Sequence, residues 1–278
     1  MAYPRYVLAF IRACDHLPGS ALTIVRSLRL AILSDIHANL PALETVLDQI
    51  EGAGVDEAWC LGDVVGYGAQ PNECAELVRE HCSICLVGNH DLAALDELDI
   101  STFSPAAAAA VRWTRDAMSE RTTAFLRSLA PAEEGREVAL YHASPRDPVW
   151  EYVLWPDQAA ECIRVQASRV SFIGHSHVAL FFALPEDSDS AHGQRPDARG
   201  AQAGAGTSLE VGRGRWLINP GSVGQPRDGD ARAAWLELDT DAWKATFHRA
   251  EYDIDRAADA IVASDLPEHL ARRLYVGQ

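Results

Sequence analysis

Carboxylate, imidazole and amide side chains recur in five short motifs, most of which directly follow an apolar run. In chain order the motifs are Asp35-Ile36-His37, Gly62-Asp63, Gly88-Asn89-His90-Asp91, His142 and Gly174-His175-Ser176-His177. Short apolar runs bounded by glycine or polar residues predict buried strands. Because the carboxyl ends of parallel strands open into one crevice, we expect the five motifs to meet there.

The first third of the chain alternates predicted strands and helices. Strands at residues 28–34, 57–61 and 84–87 are separated by helices at 40–50 and 72–81, which predicts a βαβαβ unit with parallel strands. Further strands are predicted at 137–141, 169–173, 178–184, 208–211, 215–218, 233–238 and 245–249, and further helices at 105–118, 122–129, 156–165, 254–263 and 268–275. The closely spaced strands of the second half favour antiparallel pairing.

Two segments stand apart from this pattern. Residues 185–207 are rich in Ser, Asp, Gly and Ala, which predicts an inserted flexible loop on a hairpin. Residues 1–27 are expected to be a poorly ordered N-terminal extension rather than a signal peptide, because charged residues interrupt their apolar run. Residues 28–278 are expected to form one domain.

Composition and net charge limit the kinds of partner that the protein is expected to bind. The formal net charge is −16, from 24 basic and 40 acidic residues, which opposes broad binding to nucleic acid or to anionic membranes. A small phosphorylated substrate stays compatible, because a metal centre supplies positive charge locally. Six cysteines in a chain of 278 residues predict reduced thiols and a cytoplasmic protein, since a chain of this length folds without disulfides. A homo-oligomer is left open.

The motif side chains predict a metal site. They offer carboxylate, imidazole and amide atoms without thiolates, a set that suits Mn, Fe, Zn, Ni or Co. Seven candidates are too many for one ion, so we expect two divalent ions that share a bridging carboxylate. The candidates are Asp35, His37, Asp63, Asn89, His142, His175 and His177. Each residue alone has an ordinary alternative, such as a helix cap or a turn, and only their joint placement favours metal binding.

The five motifs resemble the signature of the calcineurin-like metallophosphoesterases, which is DxH, GD, GNH[DE], a lone His and GHxH in that order. Asp63 lies 28 residues after Asp35, and Asn89 lies 26 after Asp63, as in that family. The resemblance runs from about residue 28 to the C-terminus. The sequence GNHD and the segment Val64-Val65-Gly66-Tyr67-Gly68 are more similar to the small bacterial and archaeal phosphodiesterase-like branch than to protein phosphatases. The segment Asn219-Pro220-Gly221-Ser222-Val223, read as a turn closing near the site, resembles that branch too.

The resemblance implies an α/β fold, a four-layer α/β/β/α sandwich of two mixed sheets flanked by helices. It implies hydrolysis of a phosphodiester by a hydroxide that bridges two metal ions. The implied roles are as follows: Asp35, His37 and His177 bind the first metal, Asn89, His142 and His175 bind the second, and Asp63 bridges both. His90 faces the substrate as the general acid, and Asp91, also counted with the catalytic residues, orients its neighbours.

Some assignments stay open at this point. Substrate contacts are predicted for Asn89, Arg146 and Tyr67, with a surface ion pair or loop packing as the alternative for the last two. A dinucleoside polyphosphate hydrolase and a phosphomonoesterase are alternative enzymes. A non-enzymatic scaffold, as in a retromer subunit that resembles this family but lacks the histidine of the GNH motif, is disfavoured by the presence of His90.

Overall fold

The strands of the computed structural model, which describes residues 27–184 and 198–278, form two sheets. In chain order the strands are β1 (Arg29–Leu33), β2 (Glu57–Cys60), β3 (Cys82–Cys85), β4 (Ala132–Glu133), β5 (Val138–Tyr141), β6 (Val170–Phe172), β7 (Leu180–Leu184), β8 (Arg199–Gln202), β9 (Ser208–Glu210), β10 (Arg215–Asn219), β11 (Ala233–Asp239) and β12 (Lys244–Ala250).

Both sheets are mixed and have six strands. The first has the order β3-β2-β1-β11-β12-β9, with β1, β2 and β3 parallel and the remaining pairs antiparallel. The second has the order β4-β5-β6-β10-β7-β8, with β5, β6 and β10 parallel. The predicted βαβαβ unit is confirmed. The expected antiparallel pairing of the second half is wrong for β10, which pairs in parallel with β6 on one side.

The helices are α1 (Leu40–Ala53), α2 (Pro71–His81), α3 (Asn89–Ala94), α4 (Pro105–Ala117), α5 (Glu120–Arg127), α6 (Pro156–Val165), α7 (Ile254–Ala263) and α8 (His269–Arg272), followed by a 3-10 turn, Arg273–Tyr275. Local signals set the ends of α1. The Asn39 side chain accepts a hydrogen bond from the Ala42 amide, Pro41 occupies the first turn, and Gly54 ends the helix at φ 68°. No helix in the described ranges is long and apolar enough to cross a membrane.

Four layers result from strands that are buried on both faces. Along β1, Leu30 and Ile32 pack into the core between the two sheets, whereas Ala31 and Leu33 pack with α1 and α2. On the far side, α6 covers the second sheet through Ala159 and its neighbours. The predicted four-layer α/β/β/α sandwich of two mixed sheets is therefore confirmed.

The structure corrects several boundaries. Four residues assigned to the inserted loop form β8, which pairs antiparallel with β7, so the predicted hairpin extends into the insertion. All four are exposed on an edge strand, which explains why the segment lacks large apolar residues. The short elements α3 and β4 were not predicted, and the C-terminal helix is shorter than expected. Residues 1–26 and 185–197, on which the extension and the remaining loop predictions fall, lie outside the described residues.

Candidate metal centre

The candidate ligands lie at the carboxyl ends of strands from both sheets. Asp35 follows β1, Asp63 follows β2 and Asn89 opens α3 after β3. From the second sheet, His142 directly follows β5 and the motif containing His175 follows β6. Because the two sheets are stacked, their carboxyl ends face one crevice, and all seven predicted ligands are buried in it.

The first group consists of Asp35, His37, Asp63 and His177, whose ligand atoms all lie within 4.8 Å of one another. The Nε2 atom of His177 is 3.4 Å from Oδ1 of Asp35, and Nε2 of His37 is 3.6 Å from Oδ2 of Asp63. Atoms that share one ion at about 2.0–2.2 Å stand roughly 3.3 Å apart in a tetrahedron. These four side chains therefore fit around a single divalent ion.

The tautomers of the first group support this fit. The Nδ1 atom of His37 lies 3.1 Å from the carbonyl oxygen of Val65, and Nδ1 of His177 lies 2.7 Å from that of Gln225. A carbonyl oxygen only accepts, so each Nδ1 carries the proton and each Nε2 presents a lone pair. The two Nε2 atoms are nevertheless 3.0 Å apart. Two lone pairs at this distance repel each other, and a cation bound by both nitrogens would remove that repulsion.

The second group is Asp63, His142 and His175, again with ligand atoms within 4.8 Å of one another. Nδ1 of His142 is 2.9 Å from the carbonyl oxygen of Leu61, so its Nε2 also presents a lone pair. That Nε2 is 3.1 Å from Oδ1 of Asn89 and 3.5 Å from Oδ2 of Asp63. Oδ2 of Asp63 and Nε2 of His175 are buried and have no hydrogen-bond partner among the described residues. Asp63 thus belongs to both groups.

The electrostatics of the protein alone favour a bound cation. Burial raises the pKa of Asp35 to about 7, partly offset by His142, and burial followed by repulsion from Asp91 raises the pKa of Asp63 well above its usual value. Burial also lowers the pKa of His37 and His177 well below the usual range, which keeps their lone pairs available. Burial makes these carboxylates costly to ionise, and a divalent ion held between them and the neutral imidazoles would offset that cost.

Backbone strain is concentrated in the same place. Asp35, His37, Asp63, His175 and His177 all have φ between 50° and 63°, a region that non-glycine residues rarely occupy. Strain of this kind persists only where the surrounding structure enforces it, and it is common at functional sites.

The segment Asn219–Val223 closes the site, as predicted. The Ser222 hydroxyl donates to the carbonyl oxygen of Asp35 at 2.7 Å. The Asn219 side-chain amide donates to the carbonyl oxygen of Gly174 at 2.6 Å and to the Ser176 hydroxyl. This turn therefore ties the loop after β1 to the loop after β6.

His90 lies beside the ligands but in neither ligand group. Its ring centroid is 4.9 Å from that of His37 and 4.3 Å from that of Tyr67, and its Nδ1 has no hydrogen-bond partner. Burial, and then the positive charge of Arg227, lower the pKa of His90 well below its usual value. Its geometry fits a group that faces substrate, and a proton on it requires an anionic phosphate nearby.

Asp91 links two loops of the site through hydrogen bonds. Its two carboxylate oxygens accept hydrogen bonds from the amides of Val65 and Gly88, each at 2.9 Å. It thereby fixes the backbone on both sides of the site, and its orienting role in the reaction stays a prediction.

Two of the three predicted substrate contacts, Tyr67 and Arg146, differ in their surroundings. Tyr67 lines the site, with its ring 4.8 Å from that of His37. Arg146 instead forms an ion pair with Glu151 at 2.9 Å and is 41% exposed, which is the alternative considered for it. Contact of either residue with substrate stays a prediction.

Sequence reasoning missed an aromatic wall and a cation. Phe103 contacts His90 and Trp150, and Tyr152 lies over His175 with a centroid distance of 4.1 Å. Arg227 follows the closing turn, and its charge is among the causes of the pKa shifts of the buried aspartates and histidines. The one sequence signal for Arg227 was its position four residues after Val223, the end of the closing turn. The aromatic residues belong to no motif and had no such signal.

Gly88 offers a direct test of how the site depends on its backbone. A Cβ atom at this position would lie 2.1 Å from Oδ1 of Asp63, so Gly88→Ala must displace the shared carboxylate. We expect bound metal and turnover to fall together and the fold to lose roughly 1–3 kcal/mol. Metal analysis, kinetics and thermal unfolding measure the three effects.

Gly52→Ala is the matched control. A Cβ atom at Gly52 meets nothing within 4 Å, and the residue lies inside α1, so this variant should be fully active and about 0.4–1 kcal/mol more stable. Full metal content and full rate in Gly88→Ala would contradict the placement of Asp63.

The fold and the site define a class of protein, a two-sheet α/β sandwich with buried groups of candidate metal ligands at the strand ends. Residues 28–241 match the family model of the calcineurin-like phosphoesterase superfamily domain, and the chain belongs to this superfamily of phosphoric ester hydrolases. An uncharacterized protein of Methanocaldococcus jannaschii, MJ0912, is 38% identical over 254 residues, which cover 90% of this chain and 98% of that protein.

Solved structures agree with this assignment. A metallophosphoesterase from Sphaerobacter thermophilus is 38% identical with a TM-score of 0.79, and the match covers 91% of this chain and 100% of that one. The hypothetical protein PH1004 from Pyrococcus horikoshii OT3 is 20% identical with a TM-score of 0.69, covering 90% and 98% of the two chains, which supports the fold alone.

Proposed function

We propose that the protein is a phosphodiesterase that uses two divalent metal ions. When bound, the ions would supply the charge that holds phosphate oxygens and would activate the attacking water. The observation that carries the proposal is the position of Asp63, whose carboxylate is shared by two groups of ligand atoms. One ion would be held by Asp35, His37 and His177, and the other by Asn89, His142 and His175.

The other side chains of the site support an ester with organic groups. His90 has no protein partner for Nδ1 and lies beside the ligands, where it would stabilise or protonate the leaving oxygen. Phe103, Trp150 and Tyr152 form an aromatic wall next to His90 and His175, which suits apolar or aromatic ester groups. A wall of this kind favours a diester over inorganic phosphate compounds.

Hydrolysis of bis-p-nitrophenyl phosphate tests the proposal. Metal-stripped protein should be inactive, and refilling with Mn²⁺, Ni²⁺, Co²⁺, Zn²⁺ or Mg²⁺ should restore turnover with at least one metal, with two ions bound per chain. p-Nitrophenyl phosphate serves as the matched monoester.

Each outcome has a clear meaning. A higher kcat/KM for the monoester would replace the diesterase by a phosphomonoesterase. Stoichiometric metal binding without turnover of either ester would overturn the enzyme assignment in favour of a scaffold.

A further inference from the structure

Two arginines that no motif predicted lie next to the metal centre. The guanidinium carbons of Arg227 and Arg273 are 5.7 Å and 6.0 Å from the centroid of the Tyr67 ring. Arg227 follows the closing turn after β10, and Arg273 comes from the 3-10 turn after α8. Segments separated by more than forty residues therefore bring two cations to one side chain of the site.

Neither cation forms an ion pair with an acidic side chain within the described residues. The Nη2 atom of Arg227 donates to the neutral side chain of Gln225 at 2.9 Å, and its Nε is buried without a partner. Arg273 donates through Nε to a main-chain oxygen of Gln278. No acidic side chain forms an ion pair with either arginine in the part of the chain that is described, although the chain carries 40 acidic residues. Asp228, the next residue after Arg227, pairs with Arg249 instead.

The two arginines also act on each other. Burial, and then repulsion from Arg227, lower the pKa of Arg273. Half-buried like charges that no acidic side chain pairs with destabilise the protein unless an anion binds between or beside them. The arrangement is therefore explained by a ligand that carries negative charge.

The position of Tyr67 places the two arginines next to the candidate metal centre. Its ring lies 4.8 Å from that of His37 and 4.3 Å from that of His90, so the arginines border the metal centre without belonging to it. Metal ions would already hold the phosphate that is cleaved. Arginine forks suit phosphate oxygens, which they bind through paired hydrogen bonds.

We propose that Arg227 and Arg273 form a second anion subsite, which holds another phosphate of the same substrate. The substrate of the proposed reaction is then a phosphoester with two phosphates, joined either directly or through a sugar. This inference rests on the proposed function for its reaction, but the subsite itself is a binding property and is measured separately.

Three adenosine ligands test the subsite. Binding of adenosine 5′-phosphate, α,β-methylene-ADP and adenosine 3′,5′-bisphosphate to metal-loaded protein is measured by calorimetry, with metal in excess of ligand. At least one ligand with two phosphates should bind about tenfold or more tightly than the monophosphate, because the second phosphate adds charge-assisted hydrogen bonds to the arginines. A preference for the methylene compound indicates adjacent phosphates, and a preference for the bisphosphate indicates phosphates separated by a sugar.

Variants connect that preference to the arginines. Arg227→Met and Arg273→Met should each reduce the preference to about twofold or less, since each removes one of the two charges. Arg272→Met is the control, because Arg272 is exposed and pairs with Glu268, and it should keep the full preference. Equal binding of all three ligands by the unmodified protein, or a preference unchanged in both variants, overturns the inference.

The assay on bis-p-nitrophenyl phosphate separates the two proposals. A tenfold preference that depends on both arginines, together with no turnover on any metal, keeps the subsite and removes the proposed reaction. Turnover without such a preference keeps the proposed reaction and removes the subsite.

Discussion

Asp63→Asn should abolish nearly all turnover and reduce the bound metal from two ions to one or none. The carboxylate is common to both ligand groups, with Oδ2 3.6 Å from Nε2 of His37 and 3.5 Å from Nε2 of His142. Asparagine offers one neutral oxygen in its place and cannot bridge two cations. Because paired ions contribute several kcal/mol of transition-state stabilisation, kcat/KM should fall by roughly 10³-fold or more.

The same variant should fold well without metal. Burial raises the pKa of Asp63 well above its usual value, so the charged side chain is costly in the ion-free protein and a neutral amide is less so. Metal-free Asp63→Asn should therefore unfold at a temperature equal to or above that of metal-free unmodified protein. Asp48→Asn, on the exposed face of α1, is the matched control and should keep both metal and rate.

Two ions bound to Asp63→Asn, with normal turnover, would refute a shared carboxylate. A variant that loses activity and also unfolds at a lower temperature without metal would show that Asp63 acts on the fold rather than on the ions. Metal analysis and calorimetry distinguish these outcomes.

The ligands were predictable because a local rule places them. Asp63 and His142 each follow a strand whose apolar run is visible in the sequence, and the stacking of two sheets brings the strand ends together. The ring orientation of His142 was not predictable, since it depends on the carbonyl oxygen of Leu61, a residue 81 positions away. Sequence thus indicated which residues meet, whereas their tautomers required the structure.

Arg227, Arg273 and the aromatic wall could not be predicted for a related reason. Arg273 reaches Tyr67 only because α7 and α8 pack beside α4, and no periodicity indicates that contact. The strand β8 was missed because an exposed edge strand needs no apolar side chains, and α3 because six residues are too few to show a helical period. The parts of the site that depend on tertiary packing could therefore not be predicted from the motifs.

His90→Ala should keep the metal content and lose rate. His90 belongs to neither ligand group, whereas its imidazole lies beside His37, Tyr67 and Phe103. Its amide donates to Oδ1 of Asp63 at 2.8 Å, and that backbone bond survives the substitution. We expect kcat to fall by about 10²–10⁴-fold, the usual contribution of a positioned acid or base.

The leaving group reveals what His90 does. If His90 protonates the departing oxygen, His90→Ala lowers the rate more with a phenolate leaving group than with p-nitrophenolate. The latter departs readily without a proton. Kinetics on diphenyl phosphate and bis-p-nitrophenyl phosphate should therefore show the larger fall with the phenyl ester. His81→Ala, at the exposed end of α2, is the control and should match the unmodified protein on both esters. An equal fall on both esters would assign His90 to charge stabilisation alone, and a full rate in His90→Ala would remove it from the reaction.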